Sequence, residues 1–459
     1  MNAPVIRLFA LVIVLFGLLV AFTSRWTVFE AEALRDNANN RRLLFQEQLI
    51  KRGVIRTADG DVIAGNRSLP GERFERRYPA GELFSHPVGY TSLERGRIGL
   101  EEYYNDPLTG RRTDAIGALE RLLGPQKIGD DLRTTLSTRA QEVAYDGLAD
   151  RRGAVVALDV ETGAVRVMAA TPTFDPADPE GAETFNRATQ ARLPPGSTMK
   201  VVTAAAALDS GRFRPDSPVD GSNGKEISGT PLDNFGGEDF GTIDLTTALT
   251  NSVNTVWASV AETLGKETMG EYMRKFGFFE DPPLDYPDEQ MVPSGEYGPR
   301  GRLLAPTSDQ IDVGRMAIGQ DKLLVTPLQM ATVAQTVGNG GVRMKPRLVE
   351  KVVDPDGRTI DEPLPEEAER VMSEESADAL AGMMRNVVEQ GTGTAAQLEG
   401  VDVSGKTGTA EVGDGTDNLW FIGFTDKVAV AVMLERQSGG TGGGDAAPIA
   451  AQVLEALGE

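Results

Sequence analysis

One stretch near the start of the chain constrains the fold more than any other feature of the sequence. Residues 8–22, LFALVIVLFGLLVAF, contain no polar side chain, and two apolar residues extend the run across Arg7. As a helix, residues 5–22 would be about 27 Å long, close to a hydrocarbon core of about 30 Å. The sequence therefore predicts a transmembrane anchor followed by a large body outside the bilayer.

A cleaved signal peptide is the alternative interpretation of this run. The following VAFTSRW is a poor match to the small-residue pattern of a cleavage site, and either interpretation exports the rest of the chain. Because Arg7 and Arg25 flank the run on both sides, charge alone sets the orientation weakly. We expect a single-pass protein of the cell membrane whose body is extracytoplasmic.

The composition of the body excludes several classes of chemistry. A chain of 459 residues is too long for one ordinary domain, and its net charge of −22 argues against binding nucleic acid. The chain contains no cysteine and a single histidine, His86, which excludes disulfides, cysteine nucleophiles and multi-histidine metal sites. His86 precedes a proline and is predicted to lie on a loop. The available reactive groups are those of Ser, Lys, Asp, Glu and Tyr.

The pattern of predicted strands and reactive groups divides the body into two parts. Residues 26–150 include a predicted hairpin at RGVIRTADGDVIA but no convincing set of reactive groups, so we expect an extended, non-catalytic module. Residues 151–459 begin with the strand–turn–strand pattern GAVVALDVETGAVRVMAA. They end with the strand patterns of VDVSGKTGTAEV, NLWFIGFT and VAVAVMLE, followed by the helix APIAAQVLEAL. Strands at both ends with helices between them predict an α/β (α+β) domain with a mainly antiparallel sheet sandwiched by helices.

The stretch LPPGSTMKVVTAAAALDSG, residues 193–211, carries a serine and a lysine in an unusual setting. The Pro-Pro-Gly turn predicts a helix that begins at or beside Ser197, and the apolar run predicts that this helix is buried. Residues three apart share a helix face, so Lys200 can reach the Ser197 hydroxyl. Burial disfavours the ammonium form, which would make Lys200 a neutral general base.

This pattern also has a purely structural interpretation, in which Ser197 caps the helix and Lys200 extends its amine to water. The chain contains a second Ser-x-x-Lys, Ser222 to Lys225, in a polar stretch flanked by glycine. We interpret that second copy as a surface loop without a catalytic role.

Two further stretches point to the same chemistry. In LTNSVNTVW, Ser252 and Asn254 lie on a predicted turn between two helical runs, where alternation places both side chains on one side. The alternative is a capping motif for the helix that begins near Thr255.

In DVSGKTGTAEV, the consecutive residues Lys406-Thr407-Gly408-Thr409 lie inside a predicted strand. Gly408 is costly there unless another backbone or a ligand approaches closely. Lys406 adds a positive charge, and the hydroxyls of Thr407 and Thr409 could bind a carboxylate. The alternative is an edge strand that is guarded by Lys406.

In the order Ser-x-x-Lys, Ser-x-Asn and Lys-Thr-Gly, these stretches form the signature set of penicillin-interacting serine enzymes. The resemblance extends over nearly the whole chain, through RGVIRTADGDVIA, RRYPAG, GLEEYYNDPLTG, NRATQARLPPGSTMK, GQDKLLVTPLQMA, SGKTGTAE and LWFIGF. The sequence resembles the class B penicillin-binding proteins, which are monofunctional D,D-transpeptidases of bacterial cell-wall synthesis. It is most similar to the actinobacterial penicillin-binding protein A type.

The resemblance implies a role for each motif residue. Ser197 would attack the carbonyl of the penultimate D-Ala of a peptidoglycan stem peptide, activated by Lys200. Ser252, held by Lys406, would relay a proton to the leaving D-Ala, while Asn254 would hydrogen-bond the substrate amide. No cofactor or metal is implied, and β-lactams would acylate the same serine.

The resemblance also implies binding groups and a domain plan. The backbone N–H groups of Ser197 and Thr409 would form the oxyanion hole, and the strand around Gly408 would bind the terminal carboxylate through the hydroxyls of Thr407 and Thr409. We therefore expect a cytoplasmic tip and anchor in residues 1–25, a dimerisation-like pedestal in residues 26–150 and the transpeptidase domain in residues 151–459. The expected protein partner is a SEDS-type glycan polymerase.

Two other classes remain open at the level of the sequence. A hydrolase of the same lineage, either a D,D-carboxypeptidase or a serine β-lactamase, would use the same acyl-enzyme but release it to water. A sensor or scaffold would bind β-lactams without turnover. Fast deacylation needs a base that activates water, and no such base is identifiable from the sequence.

Overall fold

The computed structural model describes residues 2–26, 48–92, 95–111 and 128–458. Within these ranges, the helices, numbered in chain order, are α1 (Asn2–Ser24), α2 (Ser85–Val88), α3 (Leu100–Tyr103), α4 (Asn105–Leu108), α5 (Thr138–Leu148), α6 (Arg187–Gln190), α7 (Lys200–Asp209), α8 (Leu245–Thr250), α9 (Asn254–Lys275), α10 (Val313–Ala317), α11 (Pro327–Gly338), α12 (Glu374–Gln390) and α13 (Ala447–Ala456).

The strands are short in the first part of the chain and longer in the last. Those of the first half are β1 (Ile55–Arg56), β2 (Val62–Leu69), β3 (Arg73–Arg77), β4 (Thr91–Ser92), β5 (Gly96–Arg97), β6 (Asp131–Thr134), β7 (Gly153–Asp159), β8 (Val165–Thr171), β9 (Pro218–Asp220), β10 (Lys225–Ile227) and β11 (Thr230–Leu232). Those of the second half are β12 (Thr242–Asp244), β13 (Gly295–Glu296), β14 (Leu323–Leu324), β15 (Val342–Met344), β16 (Val349–Val353), β17 (Thr359–Asp361), β18 (Glu367–Arg370), β19 (Ser404–Glu411), β20 (Asp417–Phe424) and β21 (Val428–Gln437).

The N-terminal helix α1 has the properties of a membrane anchor. Its large apolar side chains are all exposed, and an 18-residue window within residues 3–24 has a mean hydropathy of 2.9. A helix that packed into a protein core would bury these side chains, so exposure favours lipid as their surroundings. The length and composition are sufficient for a single span of the bilayer.

The central sheet of the body has five strands in the order β19-β20-β21-β7-β8, and every neighbouring pair is antiparallel. Side chains alternate between its two faces, as the two-residue period of a strand requires. Val155 and Ala157 face a layer formed by α5 and α13, whereas Val156 and Leu158 face the larger core that contains α7, α11 and α12. The predicted antiparallel sheet between helical layers is therefore confirmed.

A second sheet joins the two predicted parts of the body. It has the order β17-β16-β6-β1-β2-β3, with β1 and β6 parallel and the other neighbours antiparallel. The predicted hairpin at residues 52–64 is present as β1 and β2. Strands β16 and β17 come from the later part of the chain, and α5 from the earlier part packs on the central sheet. The two parts therefore share a sheet and a helical layer.

The prediction that His86 lies on a loop was wrong. His86 lies in the one-turn helix α2, is buried, and its Nε2 atom is 2.9 Å from the carbonyl oxygen of Pro172. Pro87 misled the prediction, because proline is tolerated in the first turn of a helix and does not by itself mark a loop.

Candidate active site

Ser197 lies in a tight turn that leads directly into the buried helix α7. The turn is a single 3₁₀ segment, Gly196–Met199, and Gly196 has a positive φ of 54°. A Cβ atom on Gly196 would lie 2.7 Å from the carbonyl oxygen of Thr409, and its N–H donates to the carbonyl of Gly319 at 3.1 Å. Only glycine allows this approach, so the turn is held between β19 and the loop at Gly319.

A second set of contacts fixes the turn against the sheet. The indole N–H of Trp420 donates to the carbonyl of Pro194 at 2.9 Å, and the Thr198 hydroxyl donates to the carbonyl of Pro195 at 2.8 Å. A Cβ atom on Gly408 would lie 2.6 Å from that same Pro195 oxygen. The close approach that the sequence predicted at Gly408 is therefore made by the turn that carries the serine.

Lys200 is completely buried at the first residue of α7. Its amine donates to the Ser252 carbonyl and to Asn254 Oδ1, both at 2.7 Å, and lies 3.2 Å from Ser252 Oγ. Burial, and secondarily the charge of Lys406, hold the pKa of Lys200 well below its ordinary value. The lowered pKa increases the fraction of Lys200 that is neutral, and the neutral amine is the form that acts as a general base.

The sequence predicted that the Lys200 amine would contact the Ser197 hydroxyl, but in the structure the amine has other partners. Among the described residues, the hydrogen bonds of the amine go to Ser252 and Asn254. The reason is that the turn between α8 and α9 offers the amine a cluster of three oxygens. The Ser197 side chain is half-buried and does not accept a hydrogen bond from the start of the helix. The alternative interpretation of Ser197 as a helix cap is therefore wrong.

Lys406 lies on β19 at the edge of the central sheet, and it is also completely buried. Its amine donates to Ser252 Oγ and to the Thr407 carbonyl, both at 3.0 Å. Burial lowers the pKa of Lys406 to about 7. The strand is an edge strand, as the alternative interpretation required, but its lysine points into the protein and does not guard the edge.

Ser252 connects the two lysines. It lies between α8 and α9 with a φ of 57°, in the left-handed region that is uncommon and strained for a residue with a Cβ atom. Its hydroxyl is 3.2 Å from one lysine amine and 3.0 Å from the other. The first residue before α9 is Val253, and no side chain caps that helix end. The geometry therefore favours a proton path through Ser252 over a capping motif.

Two residues that no sequence motif indicated, Asp233 and Asn234, hold Asn254 and its helix. Asn254 Nδ2 donates to the carbonyl of Asp233 at 3.1 Å, and Asn234 Oδ1 accepts from the backbone N–H of Thr255 at 3.0 Å. Asp233 and Asn234 are separated from Asn254 by about 20 residues in a polar, glycine-rich stretch, so no local pattern could have identified them.

The remaining predicted site residues line β19 beside the lysine. The hydroxyls of Thr407 and Thr392 are 2.6 Å apart, and Thr409 Oγ1 accepts from the backbone N–H of Gly442 at 3.4 Å. Thr407 is buried and Thr409 is half-buried. Thr392 is a further residue that the sequence did not single out, because its loop lies outside all three motifs.

The second Ser-x-x-Lys copy has a different environment. Lys225 forms an ion pair with the carboxylate of Asp220 at 3.0 Å, and the Ser222 hydroxyl donates to the same carboxylate at 2.6 Å. In the active-site candidate, by contrast, no carboxylate pairs with either lysine within the part of the chain that the structure describes. That described part also contains no group of three or more His, Cys, Asp or Glu residues suited to a metal ion.

Comparison with known proteins identifies the class of protein that this fold and site define. Residues 153–455 match the family described as the penicillin binding protein transpeptidase domain, and residues 52–129 match the penicillin binding protein A dimerisation domain. The chain is 33% identical to the peptidoglycan D,D-transpeptidase PbpA of Mycolicibacterium smegmatis over 99% of both chains. It is 32% identical, with the same coverage, to PbpA of Mycobacterium tuberculosis.

Solved structures agree with this result. The ceftriaxone acyl-enzyme of penicillin-binding protein A from M. tuberculosis superposes with a TM-score of 0.80 at 29% identity, covering 90% of this chain and 100% of that one. A D,D-transpeptidase domain from Eggerthella lenta gives 0.78 at 30% identity, covering 89% of this chain and 98% of that one. The chain belongs to the penicillin-binding protein transpeptidase family, as a class B member of the PbpA type. The predicted family, fold and enzyme class are therefore confirmed.

Proposed function

We propose that this chain crosslinks peptidoglycan as a serine D,D-transpeptidase, through an acyl-enzyme on Ser197. One observation carries the assignment of roles: the Ser252 hydroxyl lies between two buried amines, and neither amine has a carboxylate partner in the described chain. Such amines lose their protons more readily than exposed lysines, so they can accept and pass protons at neutral pH.

In the acylation step, Ser197 Oγ attacks the carbonyl carbon of the penultimate D-Ala of a stem peptide. The hydroxyl proton passes to the neutral amine of Lys200, which turns towards the serine when substrate fills the cleft. The C–N bond then breaks, and the terminal D-Ala leaves with a proton that is delivered through Ser252. Lys406 holds Ser252 in place. Because its pKa is about 7, it is partly protonated at neutral pH, and this protonated form stabilises the anionic groups of the substrate.

Substrate binding is assigned to the two walls of the cleft. The backbone N–H groups of Ser197 and Thr409 hold the oxyanion, and the close packing of Gly196 on the Thr409 carbonyl supports this assignment. The terminal carboxylate binds to the hydroxyls of Thr407 and Thr409, on the strand that Gly408 allows to approach. Asn254 hydrogen-bonds the amide on the other side of the attacked residue.

In the second half-reaction, an amine from a neighbouring stem peptide attacks the ester carbonyl on Ser197. The new peptide bond forms as the ester C–O bond breaks, and the serine oxygen recovers its proton from the attacking amine through Lys200. The product is a crosslink between two stem peptides. β-Lactams enter the same pathway, because opening of the lactam ring acylates Ser197 without releasing a leaving group.

The domain plan is part of the same proposal. Residues 1–25 form a cytoplasmic tip and anchor, residues 26–150 form a pedestal, and residues 151–459 carry the chemistry on the extracytoplasmic side. The exposed apolar surface of α1 supports the anchor, and the shared six-stranded sheet supports a pedestal that is rigidly joined to the catalytic part. A SEDS-type glycan polymerase is the partner that we propose for the pedestal.

Intact-mass measurement after mixing the full-length chain with benzylpenicillin tests this function. We expect a single adduct that persists for hours, because a transpeptidase without its acceptor amine activates water poorly. Loss of the adduct within seconds would identify a hydrolase of the same lineage, either a β-lactamase or a carboxypeptidase. A protein that forms no adduct would contradict the proposed chemistry.

A further inference from the structure

An exposed phenylalanine lies beside the catalytic cleft without a role in the core. Phe235 is 80% exposed, and it occupies a short 3₁₀ turn, Phe235–Gly237. The turn follows directly after Asp233 and Asn234, the two residues that hold Asn254 and the start of α9. Single exposed apolar side chains are common on protein surfaces, but this ring is two residues from the Asp233 carbonyl that Asn254 contacts.

The base of this turn is fixed by hydrogen bonds through a single buried side chain. Asn234 Nδ2 donates to the carbonyls of Gly221 at 3.0 Å and Glu238 at 2.9 Å. Its Oδ1 atom accepts from the backbone N–H and the hydroxyl of Thr255, and its own backbone N–H donates to Asn223. Asn234 therefore fixes the position of the turn relative to the first residues of α9.

The tip of the turn is closed by a backbone hydrogen bond from the N–H of Gly237 to the carbonyl of Asn234 at 3.0 Å. Gly236 and Gly237 both have positive φ values, 68° and 72°, and a Cβ atom on Gly236 would contact nothing within 4 Å. The glycines therefore allow a tight, hydrogen-bonded turn, and the aromatic ring projects from this turn into solvent, where a bound molecule can contact it.

The contacts across the cleft indicate which part of a bound molecule lies near the Phe235 ring. Lys406 contacts Ser252, Lys200 contacts both Ser252 and Asn254, and Asn254 contacts Asp233. Phe235 follows two residues after Asp233, at the opposite end of this series of contacts from Lys406 on β19. In the proposed function, Asn254 binds the amide that precedes the attacked D-Ala, so the group beyond that amide extends towards Phe235.

We infer that Phe235 is a specificity-determining residue, whose ring packs on the apolar side chain attached beyond the amide of the acyl donor. In a stem peptide this group is the apolar part of the residue that precedes the penultimate D-Ala. In a penicillin it is the substituent of the acylamido group. This inference rests on the proposed function, because it needs the acylation of Ser197 as its readout.

Two penicillins that share a nucleus and an amide test the inference in the full-length chain in detergent. Benzylpenicillin carries a phenyl ring beyond the amide, whereas 6-acetamidopenicillanic acid carries only a methyl group. We expect Phe235→Ala to lower the ratio of their second-order acylation rate constants about tenfold, and Phe235→Tyr to restore it. Leu364→Ala is the matched control, since Leu364 is 79% exposed on the connection between β17 and β18, and it should leave both rates unchanged.

The other outcomes overturn the inference. An equal loss with both penicillins would mean that Phe235 acts by holding the turn at Asn254, and an unchanged ratio without loss would mean that the ring contacts nothing. If the wild-type chain forms no adduct with either compound, the proposed function fails together with this inference. An adduct that forms with an unchanged ratio contradicts the inference alone.

Discussion

Two regions of this chain bury a pair of basic side chains, and they differ in what lies between the charges. In the first part of the body, Arg52 and Arg76 both contact the buried carboxylate of Glu101, at 2.8 and 2.5 Å. In the active site, Lys200 and Lys406 both contact the neutral hydroxyl of Ser252.

The two clusters have opposite effects on proton affinity. Burial alone would raise the pKa of Glu101, but the charges of Arg76 and Arg52 outweigh it and hold that pKa below its ordinary value. In the lysine pair, no carboxylate among the described residues opposes the effect of burial, so the pKa of both amines falls. Burial of charge is therefore not in itself a sign of catalysis. Burial without a counter-charge produces groups that can exchange protons near pH 7.

The largest effect is expected from removal of the nucleophile. Ser197→Ala should abolish the covalent benzylpenicillin adduct, because the other hydroxyl of this turn, that of Thr198, is buried and donates to the Pro195 carbonyl. The side chain caps no helix, so the free energy of unfolding should change by less than about 1 kcal/mol. Intact mass and urea unfolding measure the two quantities, and persistent labelling of the variant would assign the nucleophile to another residue.

The comparison between the two clusters is tested by stability. Glu101→Gln leaves two buried guanidinium groups without a carboxylate, which should lower the free energy of unfolding by about 3–5 kcal/mol. Lys200→Met should block acylation but keep or increase stability, since it replaces a buried amine by an apolar chain of similar volume. Urea midpoints of the full-length variants measure both effects. Equal destabilisation by the two changes would remove the distinction that we draw between the clusters.

A smaller effect on the rate is expected from the second lysine. Lys406→Gln should slow acylation by more than tenfold, equivalent to about 1.4 kcal/mol, because it removes the charge that holds Ser252 and stabilises the substrate anion. Lys225→Gln, in the second Ser-x-x-Lys copy, should change the rate by less than twofold, because Asp220 already pairs with that lysine. Similar losses in the two variants would contradict the choice between the two copies.

Much of the fold was predictable from the sequence, because the signals are local. The strands around residues 153–171 and 404–437 are marked by apolar runs with turns between them, and α13 by its apolar period. The sharing of a sheet between β6 and β16 was not predictable, since these strands are more than 200 residues apart. Pairing over such a separation leaves no periodic trace in either segment.

The site was predictable as a set of motifs but not as a set of contacts. Ser197, Ser252 and Lys406 were found because each lies in a short pattern that local structure explains. The hydrogen bonds of Lys200 to Ser252 and Asn254 depend on how α7 packs against the turn before α9, which no pattern within either stretch encodes. The same holds for Asn234, whose partners come from three separate segments.

Both amines of the proposed active site should lose their protons far below the ordinary lysine pKa of about 10.4. Carbon-13 NMR titration of the lysine side chains measures this directly, with Lys200→Met and Lys406→Met spectra for assignment. A lowered pKa means that each amine is protonated below its own pKa and neutral above it. We expect Lys406 to titrate near pH 7 and Lys200 well below the exposed lysines. If both resonances titrated together with those of the exposed lysines, the two amines would have ordinary pKa values and could not serve as the proposed proton carriers.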